Sequence, residues 1–125
     1  MKRILAAILA AVLGANGVAM LAAGAWWYGA VPGVTMTGPY NPHFVKDIGA
    51  AYLVVAASLT WRAARPAAGQ GALVASAGFL VLHGLIHIAD AAMGMNMASD
   101  LLRDAAGVYA PALIAAWLAL PTRKA

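Results

Sequence analysis

Long apolar segments dominate this chain, and short segments rich in glycine, proline and charge separate them. An α-helix needs roughly 20 apolar residues to cross the ~30 Å hydrocarbon core of a bilayer. Four segments have about that length: Ile4–Tyr28, Phe44–Trp61, Ala72–Met93 and Leu101–Leu120. Because short connections place consecutive helices side by side, the pattern predicts an all-α protein whose single domain is an antiparallel four-helix transmembrane bundle.

The composition agrees with a membrane protein and excludes a soluble domain. Of the 125 residues, 64% are hydrophobic and only 10% are charged, whereas a soluble domain of this size needs a charged surface. The net charge of +4 does not indicate nucleic-acid binding, because the cationic residues flank apolar segments and form no patch. Those residues are Lys2, Arg3, Arg62, Arg65, Arg123 and Lys124. Cysteine is absent, so the chain has no disulfides or thiolate ligands.

The cationic flanks also predict an orientation. Lysine and arginine are kept on the cytoplasmic side of membrane segments, so both termini and the 62–71 linker are expected in the cytoplasm. Lys46 and Arg103 depart from this rule, and each lies beside an acid, Asp47 or Asp104, that compensates its charge.

An alternative interpretation of the N-terminus is a cleaved signal peptide. Lys2 and Arg3 precede an apolar run, and Ala23-Gly24-Ala25 has the small-x-small form of a cleavage site. The apolar run continues to Tyr28, which is longer than a typical signal core. An uncleaved first span is therefore the favoured interpretation.

The candidate chemistry lies in histidine and aspartate residues expected at one end of the bundle. His83, His87 and Asp90 project within roughly 60° of one another on a helix with about 100° per residue. His43 and Asp47 are one helical turn apart at the start of the second span. Together they would present three imidazoles and two carboxylates, a ligand set suited to one copper, zinc, iron or manganese ion.

Other interpretations of these residues stay open. The five side chains could form a buried hydrogen-bond network that fixes helix register, a proton relay or a polar ligand pocket. Asp104 could also face the cluster, paired with Arg103 or Lys46. Haem bound by two histidines from different helices is geometrically allowed but less favoured. A zincin-type hydrolase is excluded, because the residue after His83 is glycine and the chain contains no glutamate.

Two neighbouring segments bear on the same end of the bundle. Met93, Met95 and Met97 could bind copper through their thioethers, although methionine is more often an apolar filler. The proline- and glycine-rich loop 31–42 either covers the site or is an ordinary turn between two spans.

The stretch from Val31 to Tyr52 resembles a signature of small bacterial membrane proteins. It contains Val-Pro-Gly-Val and then Thr-Gly-Pro-Tyr-Asn-Pro-His-Phe-Val-Lys-Asp-Ile-Gly-Ala-Ala-Tyr. The length and the four-span layout are similar to the broad DoxX-like group of inner-membrane proteins. The resemblance implies an inner-membrane helical bundle, and it assigns no catalytic residue.

The leading functional hypothesis is therefore a membrane metalloprotein, a redox enzyme or a metal-handling protein, with His43, His83 and His87 as ligands. Asp47 and Asp90 would be further ligands or would orient the imidazoles. The alternatives are a non-enzymatic membrane subunit that binds a partner or a small lipophile, and a small transporter or proton-handling protein. The expected partners are the lipid bilayer and a second copy of the chain or another membrane subunit.

Overall fold

A computed structural model describes residues 1–94 and 98–121, and this part of the chain is all-helical, with 84% of it in helices and no strand. The helices follow one another with short connections. In chain order they are α1 (Lys2–Ala22), α2 (Gly24–Ala30), a 3₁₀ turn (Val34–Thr37), α3 (Pro42–Ala64), α4 (Gln70–Ala92), α5 (Ala98–Arg103), a π-helical turn (Ala105–Tyr109) and α6 (Ala110–Ala119). The predicted all-α class is confirmed.

Three helices of the described chain are long and apolar enough to cross a membrane: α1, α3 and α4, with 21, 23 and 23 residues. The fourth predicted span, 101–120, is divided between α5, the π-helical turn and α6, and its continuous apolar part is the shorter stretch Ala105–Ala119. Pro111 near the start of α6 explains part of this irregularity, because its ring removes a backbone N–H from the helical ladder. At the start of the π-helical turn, the carbonyl of Asp104 accepts from the N–H groups of both Val108 (2.8 Å) and Tyr109 (3.3 Å).

The first predicted span, 4–28, is two helices. Backbone angles of φ −139° and ψ 44° at Ala23 end α1 and start α2. The indole N–H of Trp27 donates to Oδ1 of Asn16 at 2.8 Å. In one straight helix these residues would be about 16 Å apart along the axis. The break therefore folds α2 back toward α1.

Close packing of α1 against α3 depends on two glycines. A Cβ on Gly17 would lie 2.8 Å from the carbonyl oxygen of Gly49, and a Cβ on Gly49 would lie 2.8 Å from the Cβ of Met20. Small residues at such a contact let helix backbones approach closely, which is the main source of stability between membrane helices. The core continues toward α4 through Leu59 and Leu73, both fully buried.

Polar side chains join four helix ends at one side of the molecule. Lys2 donates to the carbonyls of Trp117 and Leu120 at 3.1 and 3.0 Å, and Arg3 donates to that of Ala63 at 2.8 Å. Gln70 donates to the carbonyl of Ala119 at 2.7 Å. The starts of α1 and α4 thus lie beside the ends of α3 and α6, where these side chains donate to carbonyls at the helix C-termini.

Candidate functional site

A cavity of about 450 Å³ lies between α1, α3, α4, the loop after α2 and the π-helical turn. Most of its lining is apolar, and this part includes Val12, Leu13, Val31, Val34, Val108 and Pro111. One wall is polar, formed by four side chains that we call the polar cluster: His83, His87, Arg103 and Asp104. The cavity therefore combines an apolar body with a single concentrated polar region.

The central contact of the polar cluster joins α4 to the residue just before the π-helical turn. Nδ1 of His87 lies 2.7 Å from Oδ2 of Asp104, and these side chains are only 24% and 10% exposed. The partners are 17 residues apart in sequence, so the pair depends on the packing of α4 against the last third of the chain. A short, largely buried contact of this kind fixes both the position and the orientation of the imidazole.

Arg103 holds Asp104 from the other side. Nε of Arg103 donates to Oδ1 of Asp104 at 3.0 Å, and Nη1 donates to Oδ1 of Asp100 at 2.8 Å. The guanidinium thus lies between two carboxylates, and each Asp104 oxygen has its own partner. Its outer face packs against the loop at Gly33, where φ is +86° and where an added Cβ would overlap the guanidinium. Glycine at position 33 allows both the left-handed turn and this close contact.

Asp104 precedes the apolar stretch 105–119 and lies outside the three long apolar helices. Desolvation raises the pKa of the Asp104 carboxyl, but hydrogen bonds and charge interactions with Arg103 and His87 together lower it by more, and the pKa lies below its ordinary value. Asp104 is therefore an ionised carboxylate at neutral pH.

His83 lies one helical turn before His87 and is held by aromatic rings. Its ring stacks on Phe79 with 10° between the planes and a centroid distance of 6.2 Å. Tyr52 meets the ring edge-on at 6.3 Å, and the His87 ring lies 4.9 Å away. The ring nitrogens of His83 make no hydrogen bond within the described part of the chain. His83 thus lines the cavity with ring nitrogens that have no hydrogen-bond partner among the described residues.

The loop after α2 forms a wall of the cavity. Residues 31–34 and Thr37 line it, together with Trp27 and its partner Asn16. The loop is braced from outside, because the hydroxyl of Tyr28 donates to the carbonyl of Gly38 and its ring packs on that of Tyr40 at 5.3 Å. The loop between the two spans therefore contributes a wall of the cavity that contains His83 and His87.

The predicted ligands are placed in separate groups. His43 and Asp47 pair with each other at 3.3 Å on the surface of α3, with 88% and 60% of their side chains exposed, and neither lines the cavity. Asp90 also lies outside the cavity, and it makes no hydrogen bond or ion pair with the described residues. Only His83 and His87 of the five predicted residues belong to the polar cluster.

These positions bear on the metal hypothesis. Among the described residues, no three His, Asp, Glu or Cys side chains are grouped so that they could hold one ion. The five residues do not converge in the structure, because His43 and Asp47 lie exposed on α3 and, like Asp90, do not line the cavity that contains His83 and His87. The metal site stays a prediction that only metal analysis can test. Met93 is largely exposed, and Met95 and Met97 lie outside the described residues.

Sequence reasoning assigned Asp104 only a secondary place, although it is the partner of His87. The signal was present in the sequence: an Arg-Asp pair directly before an apolar segment is costly unless both groups have partners. What spacing could not supply was the contact across 17 residues. Tyr109 is another polar residue of the same segment. Its hydroxyl is buried and has no hydrogen-bond partner among the described residues.

No protein-family model, curated protein or solved structure matches the chain.

Proposed function

We propose that this chain is an integral protein of a bacterial inner membrane that binds a small amphiphilic molecule in the cavity beside the polar cluster. The observation that carries the proposal is the cavity itself, whose apolar body ends in four polar side chains. Pockets for small molecules have volumes of roughly 300–1,000 Å³, mostly apolar walls and a few placed polar groups. At about 450 Å³ this cavity lies within that range.

In the proposed arrangement the membrane domain is an antiparallel bundle of four segments with both termini in the cytoplasm. The three long apolar helices and the shared end that carries Lys2 and Arg3 support it. The fourth segment would be Ala105–Ala119, whose 15 residues span about 22 Å. A segment shorter than the hydrocarbon core is accommodated by local thinning of the bilayer. The cavity then lies near the outer surface, at the opposite end from Lys2 and Arg3.

The walls of the cavity suggest how a ligand would lie. The apolar part of the molecule would pack against Val12, Leu13 and Pro111, and its polar head would meet His83 and His87. Trp27 closes the side toward the loop. Because His83 and His87 are fixed by neighbours, they would bind the head without reorganising, which favours affinity.

A cavity-filling substitution tests the proposal. Gly107 lines the cavity, and a Cβ at that position meets no atom within 4 Å, so Gly107→Phe adds a large ring at the cavity wall without a Cβ clash. Gly78→Phe is the matched control, since Gly78 is exposed on α4, has equally open space and does not line the cavity.

The probe is 4-fluoroanisole, an apolar ring with one weak polar group, observed by fluorine NMR with the purified protein in lipid nanodiscs. We expect saturable line broadening with the wild type and with Gly78→Phe, and its loss with Gly107→Phe. Equal broadening with all three proteins, or with empty nanodiscs alone, would show that the probe dissolves in lipid and that the cavity binds nothing.

A further inference from the structure

The hydrogen-bonding character of the cavity wall follows from the contacts of His87. Its Nδ1 faces Oδ2 of Asp104 at 2.7 Å. An ionised carboxylate has only lone pairs to offer, so Nδ1 must carry the hydrogen of this bond. In a neutral imidazole the other nitrogen, Nε2, is then an acceptor. Within the described chain Nε2 makes no hydrogen bond, and His87 lines the cavity.

The tautomer is set from two sides. Oδ1 of Asp104 accepts from Nε of Arg103, which leaves Oδ2 for His87. The carboxylate cannot turn away from the imidazole without breaking its bond to the guanidinium. Asp104 is thus a positioning residue: with His87 neutral, it leaves the lone pair of Nε2 unused by any partner in the described chain.

The charges around this acceptor disfavour an anionic head group. Asp104 contributes a carboxylate in direct contact with His87, and the Nε of Arg103 is already bonded to that carboxylate. A carboxylate or phosphate entering beside His87 would be repelled by Asp104, whereas a neutral hydroxyl would meet an acceptor without this repulsion.

We infer that the ligand of the cavity is a hydroxyl-bearing lipophile, of the phenol or alcohol class, whose O–H donates to Nε2 of His87. This inference rests on the proposed ligand-binding function and names the chemistry of its ligand. The apolar remainder of the ligand lies against Leu13 and Pro111, with the rings of Tyr52 and His83 beside the hydroxyl end.

A matched pair of probes tests the direction of the hydrogen bond. 4-Fluorophenol and 4-fluoroanisole have the same fluorinated ring, but the methyl ether can only accept. With the wild type we expect 4-fluorophenol to bind roughly fivefold more tightly, the value of one net hydrogen bond. Each affinity is corrected for partition of that probe into nanodiscs without protein.

Asp104→Asn converts this preference into its opposite. Arg103 still requires an acceptor, so the amide oxygen takes the Oδ1 position and the amide NH₂ faces Nδ1 of His87. Nδ1 must then be the acceptor, and the hydrogen moves to Nε2. The variant should lose its preference for the phenol and favour the ether. His43→Ala, at an exposed histidine outside the cavity, should retain the wild-type preference.

Nitrogen-15 NMR of the wild-type histidines provides a measurement that needs no variant: His87 should carry its hydrogen on Nδ1, and a hydrogen on Nε2 would overturn the inference. A different result is that the two probes bind the wild type with equal affinity and that Gly107→Phe abolishes the binding of both. That result would overturn the inference about the hydroxyl group and leave the ligand-binding function standing. If neither probe binds the cavity, the proposed function fails and the inference fails with it.

Discussion

The His43–Asp47 and His87–Asp104 pairs contain the same two side chains in very different surroundings. The first joins neighbouring turns of α3 at 3.3 Å, with most of both side chains exposed. The second joins two separate parts of the chain at 2.7 Å and is largely buried beside a cavity. A local pair forms wherever a helix places the residues four apart, whereas a long-range buried pair has to be built by the fold. The second pair is therefore the better guide to function.

The largest expected difference between the two pairs is in stability. Asp104→Ala removes the acceptor of both His87 and Arg103 in a site where the lost carboxylate was only 10% exposed. We expect it to lower the free energy of unfolding by about 2–3 kcal/mol, since hydrogen bonds to charged groups contribute about 1.5–3 kcal/mol. Asp47→Ala should change it by less than about 0.5 kcal/mol, as is usual for exposed ion pairs.

Denaturation by sodium dodecyl sulfate in mixed micelles, followed by circular dichroism, measures both values. Asp104→Asn is the control for shape, because an amide of the same size can still bond both neighbours and should cost less than alanine. Equal losses for Asp104→Ala and Asp47→Ala would mean that the buried pair has no structural advantage over the exposed one.

The difference between the pairs also explains what could be predicted from sequence. Helical periodicity places His83 and His87 on one face, and it places His43 one turn from Asp47; both placements are found. The all-α class follows from apolar segment length alone. The partner of His87 is a matter of tertiary packing, because Asp90 is close in sequence while Asp104 is close in space. The break at Ala23 was equally hidden, because the apolar run continues through it, and the contact of Trp27 with Asn16 exists only in the folded chain.

A smaller effect on stability is expected when Arg103, which holds Asp104 of the buried pair, is replaced by lysine. Arg103→Lys keeps the charge but cannot donate to Asp104 and Asp100 from two fixed nitrogens, as the guanidinium does. We expect a loss of about 1 kcal/mol in the free energy of unfolding, less than for Asp104→Ala, because lysine can keep one of the two bonds and the Arg103 side chain is 30% exposed. Lys46→Arg, next to Asp47 on the exposed side, is the matched reverse exchange and should be neutral. A loss from Lys46→Arg as large as that from Arg103→Lys would contradict the distinction between buried and exposed sites.

The smallest expected effect concerns metal, and it separates the two pairs most directly. A single ion bound by His43, His83 and His87 would require both pairs to meet, so it would be lost from His43→Ala and from His83→Ala/His87→Ala alike. In the structure His43 is exposed on α3 and does not line the cavity that contains His83 and His87. We therefore expect His43→Ala to leave the metal content of the purified protein unchanged, measured by elemental mass spectrometry after reconstitution with copper, zinc, iron and manganese.

A stoichiometric ion that disappears in both variants would require His43 to move to the cavity, and it would restore the metalloprotein hypothesis. An ion lost only with His83 and His87 would instead place metal chemistry inside the cavity, on the same imidazoles that we propose bind the hydroxyl ligand.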